Sequence, residues 1–235
     1  MTEPTNINLQ VEPANLAIAT ADIRLRVKAN LSRQLLATAK LFARHCAGIA
    51  ERERQLKWPQ PSWEASRSYA IGAIVMAVSA LEASINELYL EAVDRNTHAL
   101  GALTEVQIAQ LEVLWGSVDR TKILAKYQLV LAVCGKDQFD KGAEPYQSAD
   151  ALIDLRNAVV HFKPEWGDEL AEHAKLERRL AAKFEDCALA SRATGHMVWF
   201  PGRCLGFGCA DWAVGTVGRF VGEFCGRLGI RGRCG

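Results

Sequence analysis

The chain has 235 residues, of which 49% are hydrophobic, and its 28 Lys and Arg against 27 Asp and Glu give a formal net charge of +1. This length suits one large domain or a domain with appendages, and the apolar content is sufficient for a buried core. The near-zero charge excludes a general electrostatic attraction to nucleic acid, so any RNA contact must come from a local patch.

The sequence predicts a cytoplasmic protein with no membrane partner. Its first residues, MTEPTNINLQVEP, are polar and contain Pro, unlike a secretory signal peptide. The longest apolar run, Tyr69 to Ala80, is too short to span a bilayer. Seven Cys without a signal peptide indicate reduced thiols. Because no Cys-x-x-Cys pair occurs and the five His are scattered, we expect no metal and no cofactor.

The first third of the chain divides into three predicted segments. Residues 1–20 are expected to form a flexible tail, and residues 21–62 a long helix followed by a turn at Pro59 and Pro61. The apolar side of this helix is predicted from six residues: Leu25, Leu31, Leu35, Phe42, Cys46 and Ile49. Its many basic residues indicate a solvated face or, alternatively, an arm for RNA or a partner. A helical domain is predicted over residues 63–230.

The most regular predicted helix runs from about Trp63 to Arg95. Its apolar residues recur at three and four positions, which is typical of a seam between helices; they are Ile71, Ile74, Val78, Leu81, Ile85, Leu88 and Ala92. Glu82 lies at the edge of this seam and Asn86 follows one turn later. A carboxylate in such a place requires a cation, for which Arg156 is the candidate. Glu87 is expected to be plain surface.

Four more predicted helices complete an all-α bundle, apart from the one discussed next. Thr104 and Gln107 indicate a capping box before the first, which ends near Trp115, and Gly135 stops the second, about 120–134. Lys122 and Lys126 in that helix are expected to be a solvated pair. The third, about 169–191, is charged. The last, about 209–228, carries a glycine stripe (Gly215, Gly218, Gly222 and Gly226) that predicts close approach of another helix, within the bundle or across a dimer.

The stretch Ser148 to Trp166, SADALIDLRNAVVHFKPEW, contains an Arg and a His separated by four residues. Ser148 or Asp150 is predicted to cap a helix that Pro164 stops. Asp154, Asn157 and His161 fall on one polar stripe, whereas Arg156 lies about 140° from His161 around an ideal helix. Arg156 is therefore expected to pair with an acid from another helix or to line a cleft. A purely structural ion pair, with His161 as a helix-end residue, is the alternative.

This stretch resembles the HEPN family, compact all-helical domains that carry an Arg-x(4 to 6)-His motif. The resemblance extends to ALEASINELYLEAV (Ala80 to Val93), which looks like a first core helix, and to CADWAVGTVGRFVGEF (Cys209 to Phe224), which looks like a closing helix. It covers roughly residues 66–228 and implies an up-and-down helical bundle, here with an extra long N-terminal helix. Many such domains are metal-independent ribonucleases, and others are non-catalytic partner modules.

The resemblance implies cleavage of single-stranded RNA by attack of the ribose 2′-OH on the adjacent phosphorus. His161 would act as general base or acid, Arg156 would hold the phosphate, and Asn157 would orient the imidazole or donate to the phosphate. Asp154 would fix the imidazole tautomer or bond solvent. Family members work in toxin–antitoxin or antiviral defence systems.

Other residues are expected to support this site. Glu82 and Asn86 would lie behind the motif, and Lys163, Arg178 and Arg179 would contact the substrate. The resemblance implies a homodimer that joins two motifs, and it allows an antitoxin or regulatory protein as a further partner. Lys163 occupies the position of a Tyr that is modified in one toxin branch, so that control is not expected here. The alternative function is a non-catalytic helical module for dimerisation or for binding a partner or a nucleotide.

Overall fold

A computed structural model describes residues 28–55, 63–166, 171–187 and 198–230 of the protein. All regular structure in these ranges is helical, which confirms the predicted all-α class. The helices are α1 (Ser32–Gln55), α2 (Trp63–Val93), α3 (Glu105–Val118), α4 (Ile123–Val133), α5 (Tyr146–Val160), α6 (Ala171–Leu180) and α7 (Phe207–Leu228). A short π-helical turn, Trp199–Arg203, lies between α6 and α7.

Several predicted segments lie outside the described residues. They are the tail at 1–20, the first residues of the N-terminal helix at 21–27, the turn at 56–62 and the flanks of the charged helix at 169–170 and 188–191. The described residues from Leu31 onward form one compact unit, the larger of two in the chain. Within the larger unit α1 packs along α2 and α7.

Helix α2 is the centre of the larger unit, since it packs against α1, α3, α4, α5 and α7. Its predicted seam is the buried face: every seam residue from Ile74 to Ala92 is at most 2% exposed, and only Ile71 is half-buried. The three-and-four spacing thus places one continuous apolar stripe in the middle of the core, where burial of each large aliphatic side chain contributes roughly 1.5–3 kcal/mol.

The same helix is also the one described segment that is long and apolar enough to cross a membrane, over Glu64–Val93. This apolar segment is longer than the run from Tyr69 to Ala80, which alone is too short to span a bilayer. A buried core helix passes the same test of length and composition. Helix α2 contacts five other helices, as the core helix of a bundle does. The cytoplasmic location stays a prediction.

Helix α1 packs on α2 through a face of small residues. Its buried residues include Ala39, Ala43 and Cys46, whereas Leu31, which the sequence assigned to the apolar side, is 58% exposed. The closest approach is at Gly72 of α2, where an added Cβ would lie 2.6 Å from a ring carbon of Phe42. The helical pattern misassigns Leu31 because this residue precedes the first residue of α1, whereas Cys46 and Ile49 are buried as predicted.

The start of α1 is held by a carboxylate from α2. Glu87 Oε1 accepts the backbone N–H groups of Leu31 and Ser32, both at 2.8 Å, and Glu87 Oε2 accepts the Ser32 hydroxyl at 2.6 Å. These donors belong to the first turn of a helix, which has no partners of its own for them. The expectation that Glu87 is plain surface is therefore wrong, because this carboxylate of α2 caps the start of α1.

An aromatic cluster joins α4, α5 and α7. The Tyr127 ring lies edge-on to Phe220 and Phe224, with centroids 5.0 and 4.6 Å away, and Phe139 stacks on Phe220 at 4.6 Å. The Tyr127 hydroxyl donates to the Leu81 carbonyl of α2 at 2.7 Å. Burial raises the pKa of this phenol, so it stays protonated and ties α4 to the central helix.

The helix ends agree only partly with the sequence. The Thr104–Gln107 capping box is present, and Gly135, with φ of +62°, terminates α4 as predicted. Helix α3 runs on to Val118 rather than ending at Trp115, α4 begins without a side-chain cap, and α6 ends at Leu180 well before residue 191. Side-chain propensity alone does not locate these ends, because packing against neighbours extends or shortens a helix by a turn or more.

The glycine stripe of α7 does not contact another helix of the described chain. A Cβ added at Gly218, Gly222 or Gly226 would meet no described heavy atom within 4 Å. At Gly215 the nearest such atoms belong to the Arg219 side chain of the same helix. The expectation of a close in-bundle approach along this stripe is therefore wrong for the described residues.

Candidate active site

The motif helix α5 begins two residues before the predicted cap. Ser148 does not cap it; the Ser148 hydroxyl donates to Glu144 Oε1 at 2.7 Å, and Lys183 Nζ donates to the same oxygen at 2.9 Å and to the hydroxyl at 3.1 Å. Burial acts to raise the pKa of Glu144, but the hydrogen bonds from Lys183 and Ser148 outweigh it, so this pKa lies below its ordinary value. The network fixes the start of α5 to the segment after α6.

The other end of α5 presents His161 to solvent. The helix ends at Val160, and His161 has left helical geometry at φ −107° and ψ 37°. Its backbone N–H still donates to the Asn157 carbonyl at 2.8 Å. The exposed imidazole therefore lies at the end of α5, as the sequence predicts.

Arg156 is paired with Glu82, as expected from the edge of the α2 seam. Arg156 Nη2 lies 3.8 Å from Glu82 Oε2, and the two side chains are 24% and 45% exposed. A charge-assisted hydrogen bond is shorter, about 2.7–2.9 Å, so this is a loose ion pair. Such a half-exposed pair contributes little to stability, in the range of about 0–1 kcal/mol. Its looseness leaves guanidinium donors for a second anionic group.

A groove of about 480 Å³ opens beside His161. It is formed where the end of α5 and the segment after it face α6. Its lining residues are Asp154, Ala158, His161, Lys163, Glu165, Glu172, His173, Lys175, Leu176 and Arg179. The groove thus brings together His161, Asp154, Lys163 and Arg179 from the predicted site. Arg156 is not among its lining residues, because it leaves α5 on the side that faces α2.

The charges of the groove balance. Three carboxylates and three cations line it, and Arg179 forms ion pairs with both Asp150 and Asp154 of α5. Asp154 is therefore engaged by Arg179 rather than by the His161 imidazole, and Arg179 is not an open phosphate contact. All three cations of the lining are exposed, and Arg179 is the one paired with Asp150 and Asp154, which leaves Lys163 and Lys175. A phosphate entering the groove would meet these two lysines.

The remaining predicted residues lie around the groove or behind it. Asn157 is exposed one turn before His161, and Arg178 is exposed on α6 but is not part of the groove lining. Asn86 Oδ1 accepts a hydrogen bond from Lys126 Nζ at 2.8 Å, and the same ammonium donates to the Asp119 carbonyl at 2.6 Å. Lys126 is 1% exposed, so the expectation of a solvated lysine pair is wrong for it. Asn86 is occupied with this structural contact.

His173 lies in the groove but was not among the predicted site residues. This imidazole lines the groove from α6, and its Nδ1 lies 3.3 Å from Glu165 Oε2. A signal was present in the sequence: His173, Leu176 and Leu180 recur at three and four positions, which places the His on the inward stripe of a charged helix. The pattern alone does not identify His173 as a site residue, because the groove forms only where α6 packs on α5.

Two exposed aromatic side chains lie on the segment that follows His161. Phe162 is 45% exposed and Trp166 is 80% exposed. Both lie within five residues of His161, which lines a groove that also holds two lysines. Aromatic faces beside cations are suited to stacking unpaired bases while the backbone phosphate contacts the cations.

Within the described ranges, no group of three or more His, Cys, Asp or Glu side chains could hold a metal ion. Comparison of the chain with protein-family models, with curated proteins and with solved structures finds no match.

Proposed function

We propose that the protein is a metal-independent endoribonuclease of the HEPN type that cleaves single-stranded RNA by 2′-OH attack. The observation that supports this best is the groove beside His161, which combines an exposed imidazole at a helix end with Lys163 and Lys175; two exposed aromatic side chains follow His161 in the sequence. An imidazole transfers protons near neutral pH, the lysines attract the scissile phosphate, and the aromatics stack on unpaired bases.

The reaction needs no group beyond the protein and the RNA. The 2′-oxygen bonds to phosphorus as it loses its proton, the bond from phosphorus to the 5′-oxygen breaks, and that oxygen takes a proton. The products are a 2′,3′-cyclic phosphate and a 5′-hydroxyl. His161 serves one of the two proton transfers, for which general acid–base catalysis contributes about 10²- to 10⁴-fold. Lys163 and Lys175 offset charge that develops on the phosphate.

Arg156 enters this scheme through a homodimer. It lies outside the groove of its own chain, and its loose pair with Glu82 leaves donors for an anion. Two copies that join their α5 ends would add a second motif to each RNA-binding surface. In a defence or toxin–antitoxin system, an antitoxin or regulatory protein would restrain this activity.

A second candidate function is a non-catalytic helical module that dimerises or binds a protein partner or nucleotide. The balanced charge of the groove and the Arg156–Glu82 pair favour it, because both are consistent with purely structural roles. In this case the protein would fold and dimerise but would leave RNA intact.

Cleavage of a labelled single-stranded RNA pool in EDTA distinguishes the two. Wild type is compared with His161→Ala, with Arg156→Ala, and with His98→Ala, a matched control on an exposed loop away from the groove. Circular dichroism and thermal unfolding establish that each variant is folded. We expect wild type and His98→Ala to cleave, and His161→Ala to be slower by at least about 10²-fold. Equal rates for His161→Ala and His98→Ala would refute the assignment.

A further inference from the structure

We propose that His173 is the second proton-transfer residue of the groove, so that one chain supplies both the general base and the general acid. This inference rests on the proposed function. It is carried by the placement of two imidazoles, His161 from the end of α5 and His173 from α6, on the lining of one groove. A 2′-OH attack requires one proton to leave and one to arrive, so two such groups suit it.

Glu165 fixes the orientation of the His173 ring. Its Oε2 lies 3.3 Å from His173 Nδ1, and its two oxygens accept the backbone N–H groups of Glu172 at 3.2 Å and of His173 at 3.3 Å. The carboxylate is thus held by the first turn of α6, where the helix dipole favours negative charge. The carboxylate lies beside Nδ1, which leaves Nε2 as the ring nitrogen for a ligand.

Two aromatic rings hold the same imidazole in place. Phe162 stacks on it with centroids 5.7 Å apart and planes at 18°, and Phe200 meets it edge-on at 5.1 Å. The His173 side chain is only 12% exposed, yet it lines the groove. Phe162 directly follows His161, so the stack also couples the two imidazole positions. Such fixed geometry is what proton transfer at a defined atom requires.

The proposed step balances within the RNA and the two imidazoles. One imidazole accepts the 2′-OH proton as the bond from O2′ to phosphorus forms. The other donates a proton to the 5′-oxygen as the bond from phosphorus to O5′ breaks. The two imidazoles end with exchanged protonation, and the solvent restores it.

A substrate with a bridging 5′-sulfur at the scissile phosphate tests this directly, because a thiolate leaves without a proton. The variants are His161→Ala and His173→Phe, the latter chosen because a phenyl ring keeps the packing on Phe162 and Phe200 but cannot transfer a proton. His98→Ala is the control, and thermal unfolding reports on folding. We expect each groove variant to be slower by about 10²-fold or more on ordinary RNA. On the 5′-sulfur RNA only one of them should recover, and it is the one that has lost the general acid.

Other outcomes overturn the inference and separate it from the proposed function. If His161→Ala is slow while a folded His173→Phe cleaves at the wild-type rate, His173 is structural and the ribonuclease proposal stands. If both variants are slow on both substrates, neither imidazole is the acid and the assignment of His173 fails. If wild type does not cleave, or both variants match it, the proposed function itself fails.

Discussion

At the scale of single residues, Arg156 and His161 have different surroundings although both belong to the end of α5. Arg156 lies against α2, and the sequence predicted its partner because a Glu at the edge of a regular apolar seam has few other cations to meet. The Asp154–Arg179 pair and the groove position of His173 were not predictable in the same way. Both depend on how α6 packs on α5, which the local sequence does not determine.

The Arg156–Glu82 pair gives a prediction about stability. Arg156→Ala and Glu82→Gln should each lower the free energy of unfolding by less than about 1 kcal/mol, because the pair is long and half-exposed. Urea unfolding of both variants and wild type measures this. A loss of several kcal/mol would show that the guanidinium is a structural charge, and any loss of cleavage by Arg156→Ala would then be a folding effect.

At the scale of elements, the sequence predicted large aliphatic seams well and small-residue faces poorly. The α2 seam was identified because its three-and-four spacing is regular over five turns. The α1 face was predicted only in part: Cys46 and Ile49 were assigned to it, whereas the buried Ala39 and Ala43 were not, because alanine carries little weight in a hydrophobic pattern. The same reasoning misassigned the glycines of α7, since spacing does not tell whether a small residue faces a neighbour or solvent.

Two glycines with opposite surroundings test this view of packing. Gly72→Ala should destabilise the protein by about 1–3 kcal/mol, because its Cβ would overlap the Phe42 ring. Gly222→Ala should stabilise it by up to about 1 kcal/mol, because no described atom lies near and Ala is the better helix former. Thermal or urea unfolding compares them. A destabilising Gly222→Ala would contradict the open surroundings of that helix face.

The start of α5 predicts a dependence of stability on pH. The pKa of Glu144 is lower in the folded chain than its ordinary value of 4.5, so the folded state binds this proton less readily than the unfolded state. Its contribution is present above pH 4.5 and is lost as the pH falls through the folded pKa. The free energy of unfolding of Glu144→Gln should therefore fall less between pH 7 and pH 3 than that of wild type. Parallel pH profiles for the two proteins would contradict the Lys183–Glu144–Ser148 network.

At the scale of the whole molecule, the homodimer is a proposal, made because Arg156 lies outside the groove of its own chain. Sedimentation equilibrium at micromolar concentration should give about twice the chain mass of 25.8 kDa. A mass equal to that of one chain, for a protein that still cleaves RNA, would show that the groove of a single copy is sufficient and that Arg156 acts only as the partner of Glu82.

The most direct measurement of the central claim is the chemistry of the RNA ends that the purified protein produces in EDTA. We predict 2′,3′-cyclic phosphates and 5′-hydroxyls from single-stranded RNA, formed by wild type and lost in a folded His161→Ala. Intact RNA, or ends that form equally fast without the His161 imidazole, would contradict the account and favour the non-catalytic module.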